Sequence, residues 1–412
     1  MNRQRGFRLN KQRGFRLNKQ RGFRLNKQRV FFYVQHLLGI GHLKRAVTLA
    51  RAMAGAGLEV TLASGGAPVP DLPEHARAGG VRFVQLPPAS AADLTFKVLV
   101  DGNGKPVDEE WKRARAEALF AAWHAASAQG LLVELFPFGR RQMRFELLPL
   151  IEAAASSGAA IACSVRDVLG AQKSAQRQEE TLALLERYFD RILVHGDPGA
   201  IAFERTFPLA GRIAARIEYT GYVVDDARPA AGNAGDGEVI VSAGGGAVGA
   251  GLLTAAIRAK PLSTLHDRRW RVLAGNNLPE GDFQELARLA AGASGIELER
   301  SRSDFTTLLA NCALSVSQAG YNTLMETVSA GARAVVVPFA RGQETEQTLR
   351  ARCFAERGLL EMVEESALAP ATLAAAIDRA VKKPRVTPGS INLDGARRSA
   401  LLIERLASGR AD

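Results

Sequence analysis

Short apolar runs recur along the chain and alternate with longer stretches of helical spacing. Residues 30–35 (VFFYVQ), 58–63, 81–86, 131–135, 159–164 and 191–194 read as buried strands, because the runs are apolar without alternation. Between them, residues 43–56 set Leu43, Val47, Leu49, Ala50 and Met53 at helical spacing, with Gly57 closing the segment. Residues 108–129 do the same with Trp111, Leu119, Phe120 and Trp123. Residues 225–237 break the pattern with Ala, Gly, Asp and Pro and read as a linker. Strand runs restart at 238–243, 270–274, 313–316 and 334–337. Helices are expected at 252–259, 305–310, 321–329, 345–357, 370–381 and 394–406. Strand and helix in alternation predict an α/β chain of two Rossmann-like domains with parallel sheets. The expected bounds are 30–224 and 238–412, behind a tail at 1–29.

The segment 315–347, SVSQAGYNTLMETVSAGARAVVVPFARGQETEQ, is the most informative. It reads as one βαβ unit whose turn, Ser317-Gln318-Ala319-Gly320, presents backbone N–H groups at a helix N-terminus. Unpaired donors and the helix dipole both favour an anion there, as in phosphate sites. Glu326, one and a half turns into the helix, can accept two hydrogen bonds from a vicinal diol such as a ribose. Glu346 and Gln347, beyond the next strand, offer groups for sugar hydroxyls. Gly244-Gly245-Gly246, after the first strand of the second domain, lets a diphosphate or sugar approach the backbone closely.

Together Ser317, Gly320, Asn322, Thr323, Glu326, Glu346 and Gln347 resemble the donor-binding region of GT-B glycosyltransferases of family 28, the MurG group. The UDP-glucuronosyltransferase group is similar more loosely. The resemblance implies a GT-B fold with its two sheets facing an interdomain cleft, and extends over about residues 30–407. It implies that the small-residue turn holds a diphosphate, Glu326 the uridine ribose, and Glu346 with Gln347 the transferred sugar. Inverting single displacement from a UDP-sugar is the implied reaction, on an unidentified acceptor. The last helix is expected to pack back on the first domain.

In the first domain the loop after the first strand contains Gly39 and Gly41. A dinucleotide fingerprint fails there: Lys44 stands at the third glycine, and the second strand ends Ala63-Ser64-Gly65-Gly66 with no acidic residue. The loop resembles instead the Gly-rich first loop of the MurG group, where Gly41-His42 would open the first helix. His42, at a sheet edge and a helix start, is the candidate catalytic base. His36, His195, Asp197 and Glu134 remain alternatives. Gly41, Glu134, Arg140 and Arg141 are acceptor-side candidates, although the 136–146 stretch reads equally well as a basic surface loop salt-bridged to Glu146.

Net charge is +12, which invites a nucleic-acid reading. Residues 1–29 hold 11 Lys or Arg and no acid, so 12 − 11 leaves the other 383 residues near +1. The basicity belongs to the tail, and no nucleic-acid partner is expected of the folded body. The tail repeats KQRGFRLN with a period of eight, too short for a solenoid. It reads as an unfolded duplicated-DNA remnant. Its alternative use is peripheral contact with an anionic membrane surface through cations and Phe-Leu pairs. Three well-separated cysteines fit neither a disulfide framework nor a metal knuckle, which suits a reducing cytoplasm. No DxD-type motif stands at a strand end, so neither metal nor cofactor is expected. Two rival readings remain: a nucleotide-sugar 2-epimerase of the same fold, and a membrane or nucleic-acid binder working through its tail.

Overall fold

Parallel strands covered on both faces are what unbroken apolar runs require, and both main sheets are built that way. The structure, a computed structural model, describes residues 27–37, 39–93, 98–170, 174–225, 232–245, 248–340, 345–387 and 389–409. Most of the basic repeat, Gly246 and residues 226–231 of the expected linker lie outside the described residues.

The first unit runs β1 (Arg29–Val34), α1 (Gly41–Gly55), β2 (Glu59–Ser64), α2 (Leu72–Ala78) and β3 (Arg82–Gln85). A small antiparallel hairpin follows, β4 (Ser90–Ala91) with β5 (Leu99–Val100). Then come α3 (Glu109–Ala126), β6 (Gly130–Glu134), α4 (Arg144–Ser156), β7 (Ala160–Arg166), α5 (Ala175–Tyr188), β8 (Arg191–His195) and β9 (Ile217–Tyr219). Seven of these strands form one sheet in the order β3-β2-β1-β6-β7-β8-β9, every ladder parallel.

The second unit is β10 (Val239–Ser242), α6 (Ala250–Ala259), β11 (Trp270–Leu273), α7 (Glu280–Ala291), β12 (Ile296–Glu299), α8 (Phe305–Asn311), β13 (Leu314–Gln318), α9 (Tyr321–Ser329), β14 (Ala334–Val337), α10 (Glu346–Glu356), β15 (Glu361–Met362) and α11 (Pro370–Ala380). Its sheet is β12-β11-β10-β13-β14-β15, again parallel throughout.

The closing helix α12 (Gly395–Ala407) returns to the first unit. Its Ala396, Ala400 and Ile403 bury against Leu43, Val47 and Met53 of α1 and Leu132 of β6. Glycine is needed at the start of that return: a Cβ on Gly395 would stand 2.4 Å from the Gly221 carbonyl oxygen. A shared apolar cluster also spans both units, with Val168 and Ile201 of the first packed with Tyr321, Met325 and Phe354 of the second.

One expectation about the 315–347 segment is corrected. Ser317 and Gln318 are not turn residues; they extend β13, paired with Val336 and Val337 of β14. A strand with neighbours on both sides satisfies its backbone through the ladder, so it continues past the apolar run until Ala319. Ser317 is fully buried, and its hydroxyl has no hydrogen-bond partner among the described residues.

Candidate active site

Open parallel sheets gather ligands at the carboxyl edge, where neighbouring strands lead their chains to opposite sides. In the first sheet β1 lies between β2 and β6, so that crevice opens beside the ends of β1 and β6. The chain leaving β1 arrives at Gly41 and His42, and β6 ends on Glu134. In the second sheet β10 lies between β11 and β13, so the crevice opens beside the Gly244–Gly245 turn and the start of α9. The two crevices face each other. The Asn322 side-chain amide donates to the Gly41 carbonyl at 3.5 Å. A Cβ on Gly41 would meet Asn322 Nδ2 at 3.5 Å and Arg166 Nη2 at 3.6 Å, and one on Gly244 would meet Thr323 Oγ1 at 3.6 Å. Gly244 has φ +72, and a Cβ on Gly275 would stand 2.3 Å from its carbonyl, so the turn is held by close backbone approach. Neither α1, entered from Ile40, nor α9, entered from Gly320, has a side-chain cap. Both helices therefore leave first-turn N–H groups open towards the cleft.

His42 stands in the first turn of α1, and its Nδ1 lies 2.8 Å from Glu134 Oε1. The Glu134 carboxyl also accepts from the Arg45 guanidinium and, at 2.5 Å, from the Ser164 hydroxyl. Glu134 is fully buried, which by itself would raise its pKa. Arg45 and the bonds from His42 and Ser164 outweigh burial and hold it well below the carboxylate range. Because the carboxylate only accepts, His42 must donate from Nδ1, leaving Nε2 as the lone-pair nitrogen. Burial, then Arg166 and Arg140, lower the His42 pKa to about 3, against the pull of Glu134. The imidazole is therefore neutral at physiological pH.

On the opposite wall Glu326 is half-buried in α9. Burial raises its pKa to about 7, opposed by Lys44 of α1 and assisted by Asp225. Glu346 opens α10 and is claimed by two arginines: Arg166 Nη1 at 2.6 Å and Arg350 Nη2 at 3.0 Å. Burial would raise it, but those cations lower its pKa to about 2. Gln347 Oε1 accepts from the Phe339 backbone N–H at 3.1 Å, tying the start of α10 to the end of β14.

The other candidates fall in different places. Arg140, in the left-handed region at φ 60, donates from Nε to the Gln35 carbonyl at 2.7 Å, which braces the loop leading to His42. Burial lowers its pKa to about 10. Arg141 points away, to Glu180 of α5 at 2.7 Å, and Arg144 joins it there. Glu146 is not their partner. It is fully buried with Arg115, at 2.9 Å, and with the Tyr33 hydroxyl, at 2.5 Å. Its position in the first turn of α4 turns it into the core, away from the loop. His36 is buried over Gly66, and burial depresses its pKa. Asp197 ties down a turn, accepting from the Gly199 and Asn392 N–H groups.

Sequence reasoning missed the buried arginines. Arg350 is fully buried and bonds Asp167 Oδ1 at 2.8 Å, and the Tyr222 hydroxyl donates to Asp167 Oδ2 at 2.8 Å. Arg45, Arg166 and Arg350 all stand over the Tyr321 ring, at 5.3, 5.5 and 5.1 Å from its centroid. Arg45, three residues beyond His42 on one helix face, was the member that spacing could have found. Among the described residues no cluster of three His, Cys, Asp or Glu side chains could hold a metal ion, and no helix is long and apolar enough to cross a membrane.

Residues 241–398 match the glycosyltransferase family 28 C-terminal domain. No curated protein sequence matches the chain. Among solved structures, MurG of Acinetobacter baumannii is similar with a TM-score of 0.59 and 16% identity, over 92% of this chain and 99% of that one. The calicheamicin glycosyltransferase CalG4 gives 0.57 and 16%, over 93% and 96%. Phytolacca americana UGT2, complexed with UDP-2-fluoro-glucose and pterostilbene, gives 0.57 and 13%, over 93% and 96%. The two facing parallel-sheet units share the GT-B architecture of these proteins, and the second unit carries the match to the glycosyltransferase family 28 C-terminal domain.

Proposed function

We propose that the chain transfers a hexosyl group from a UDP-sugar to an acceptor hydroxyl or amine by single displacement with inversion. The observation that carries this reading is His42, paired to Glu134 on one wall, opposite the open N-terminus of α9 on the other. His42 Nε2 takes the acceptor proton as the acceptor attacks the anomeric carbon. Glu134 holds the imidazole in its base-competent tautomer and stabilises the imidazolium that forms. The departing diphosphate is stabilised by the N–H groups of α9 and the Gly244–Gly245 turn, without need of a metal. Bringing an anionic diphosphate beside Arg166 offsets one of the charges that depress His42, so donor binding makes the base stronger. Glu326 receives the ribose diol, and UDP is favoured as the nucleotide by the bound donor in the Phytolacca americana protein. Glu346 and Gln347 receive the sugar. Gly41 and Arg140 line the acceptor side, whereas Arg141, committed to Glu180, does not. Ser317 acts as a buried strand residue and not as a phosphate donor.

A screen of nucleotide sugars, followed by UDP release with lipid-linked and saccharide acceptors added, tests the reaction. No acceptor-dependent UDP release from any UDP-sugar would overturn it. Glu326→Ala tests the donor wall. Losing hydrogen bonds to a charged group costs roughly 1.5–3 kcal/mol, about ten- to over a hundredfold in affinity. UDP affinity should fall by that factor with thermal stability near wild type, and unchanged binding by calorimetry would sink the assignment. There is also a pH signature. Glu326 titrates at about 7, and a diol is accepted by its ionised form, so UDP should bind more tightly as pH rises through 7. Binding at pH 6–7 should release a proton, visible as buffer-dependent calorimetric heat, and Glu326→Gln should abolish that dependence.

The basic repeat is the remaining candidate for membrane contact. Arg29 already belongs to β1 and Gln28 pairs with Glu59, so the tail ends before them; deleting residues 1–26 is expected to abolish salt-sensitive binding to anionic vesicles, since 9 cations go with it. Turnover of a soluble acceptor should barely change; a large loss would give the tail a part in the reaction.

A further inference from the structure

Behind His42 a row of buried polar side chains crosses four adjacent strands of the first sheet. Glu134 ends β6, Ser164 lies in β7, His195 ends β8 and Thr220 follows β9. All four are fully buried. Ser164 Oγ is 2.5 Å from Glu134 Oε2 and 2.8 Å from His195 Nε2, and His195 Nδ1 is 2.9 Å from Thr220 Oγ1. The strands they occupy are otherwise apolar, with Val133, Cys163, Leu193 and Val194 beside them.

Counting protons leaves one consistent arrangement. Ionised Glu134 can only accept, so the single Ser164 hydroxyl proton goes to Oε2. Ser164 then has only acceptor capacity for His195, whose Nε2 must carry a proton. Burial, with Arg45 adding to it, lowers the His195 pKa to about 3, so this imidazole is neutral and its Nδ1 is a lone pair. That lone pair can accept from the Thr220 hydroxyl at 2.9 Å, which otherwise donates to the Gly221 carbonyl at 3.0 Å. The charge on Glu134 thus sets the direction at Ser164 and His195, and Thr220 can complete the row. The row ends where the chain leaves the first unit, and the Tyr321 hydroxyl of the second unit meets the His195 carbonyl at 3.3 Å.

A folded sheet gains little from such a row. Replacing both partners of a buried hydrogen bond by apolar groups of similar shape is nearly neutral, whereas leaving one unpaired is costly. The row does govern one thing the reaction needs, the direction in which Glu134 presents its first oxygen to His42. Without the Ser164 bond, the carboxylate can turn both oxygens to Arg45.

We propose that Ser164 and His195, anchored by Thr220, are positioning residues that lock the Glu134 carboxylate behind His42 and so keep the base in its Nδ1–H tautomer. This rests on the reading of His42 as base, and its test is arranged to separate the two. In the protein without substrate, labelled with ¹⁵N-histidine and with the His42 signal assigned from the His42→Ala spectrum, wild type should show a single Nδ1–H tautomer. Ser164→Ala should give a mixture of tautomers at His42, and Ser164→Thr, which restores the hydroxyl, should return the single form. In turnover, Ser164→Ala should lower kcat for UDP release about 10–100-fold, the range for outer partners that orient an imidazole, with the KM for donor unchanged. Ser164→Cys, of similar size but with a thiol that is only a weak donor, should also mix the His42 tautomers, and it serves if Ser164→Ala does not fold. A single Nδ1–H tautomer at His42 with wild-type kcat, in Ser164→Ala or in Ser164→Cys, would overturn the inference. Should His42→Ala itself retain near wild-type turnover, the base assignment falls. The spectra of the substrate-free protein then still decide whether the row controls His42.

Discussion

Replacing His42 by Ala is expected to lower kcat by roughly 10²–10⁴-fold, the contribution of a positioned general base. UDP affinity should stay nearly intact, because the groups proposed for the donor stand on α9 and α10. An ordinary histidine base gives an acid limb near pH 6.5. Here burial and two arginines lower the imidazole pKa to about 3 in the free protein. The kcat/KM profile should therefore show no histidine limb near 6.5. The acid-side fall should begin near 7 and follow Glu326, through donor binding. Glu134→Gln should reproduce much of the kcat loss, since a neutral amide no longer demands the Nδ1 proton. A His42→Ala enzyme turning over near the wild-type rate would move the base to another group.

Arg350→Ala is expected to destabilise the protein by about 3–5 kcal/mol, the cost of stripping one partner from a buried ion pair. Arg350 is fully buried between Asp167, just beyond β7 of the first unit, and Glu346 at the start of α10. Its removal leaves Asp167, among the described residues, with the Tyr222 hydroxyl and its own neighbouring N–H, and takes one of its two arginines from Glu346. Arg350→Met, which keeps much of the packing, should cost nearly as much, because the charge and not the volume is decisive. The pH dependence follows the same logic. The Glu346 pKa lies below its unfolded value, at about 2, so its contribution is present above about pH 4.5 and fades as pH falls towards 2. In Arg350→Ala that acid-side loss should shrink. Chemical denaturation at pH 7 and pH 4 measures both effects, and a loss below about 1 kcal/mol at pH 7 would show that the interdomain pair is dispensable.

Much of the frame was legible because a parallel strand buried on both faces leaves a mark in sequence. The runs at 30–35, 131–135 and 334–337 needed no partner to be recognised, and the structure starts or stops them within one residue. Weakly buried elements left no such mark. Of α7 only Leu286 and Ala290 are buried, and β12 is half-buried at the sheet edge, so neither stood out. The turn at Ser317 was misplaced for a related reason. Polarity was taken as the end of a strand, but the ladder with β14 carries a buried serine along.

Local order decided that His42 would open a helix after a strand, that Gly244 would allow close backbone approach, and that Glu326 would follow an open helix start. Each depends on neighbours a few residues away, which periodicity and turn chemistry report. What stands behind His42 was settled only by tertiary structure. Glu134 is 92 positions away, and no spacing rule connects the ends of β1 and β6 until the sheet sets them side by side. The same holds for the arginines. Composition makes Arg45, Arg115 and Arg350 look like solvated surface charge, yet the fold buries all three. A charge can stay there only with partners, and those partners lie on strands and helices that the chain reaches after long detours.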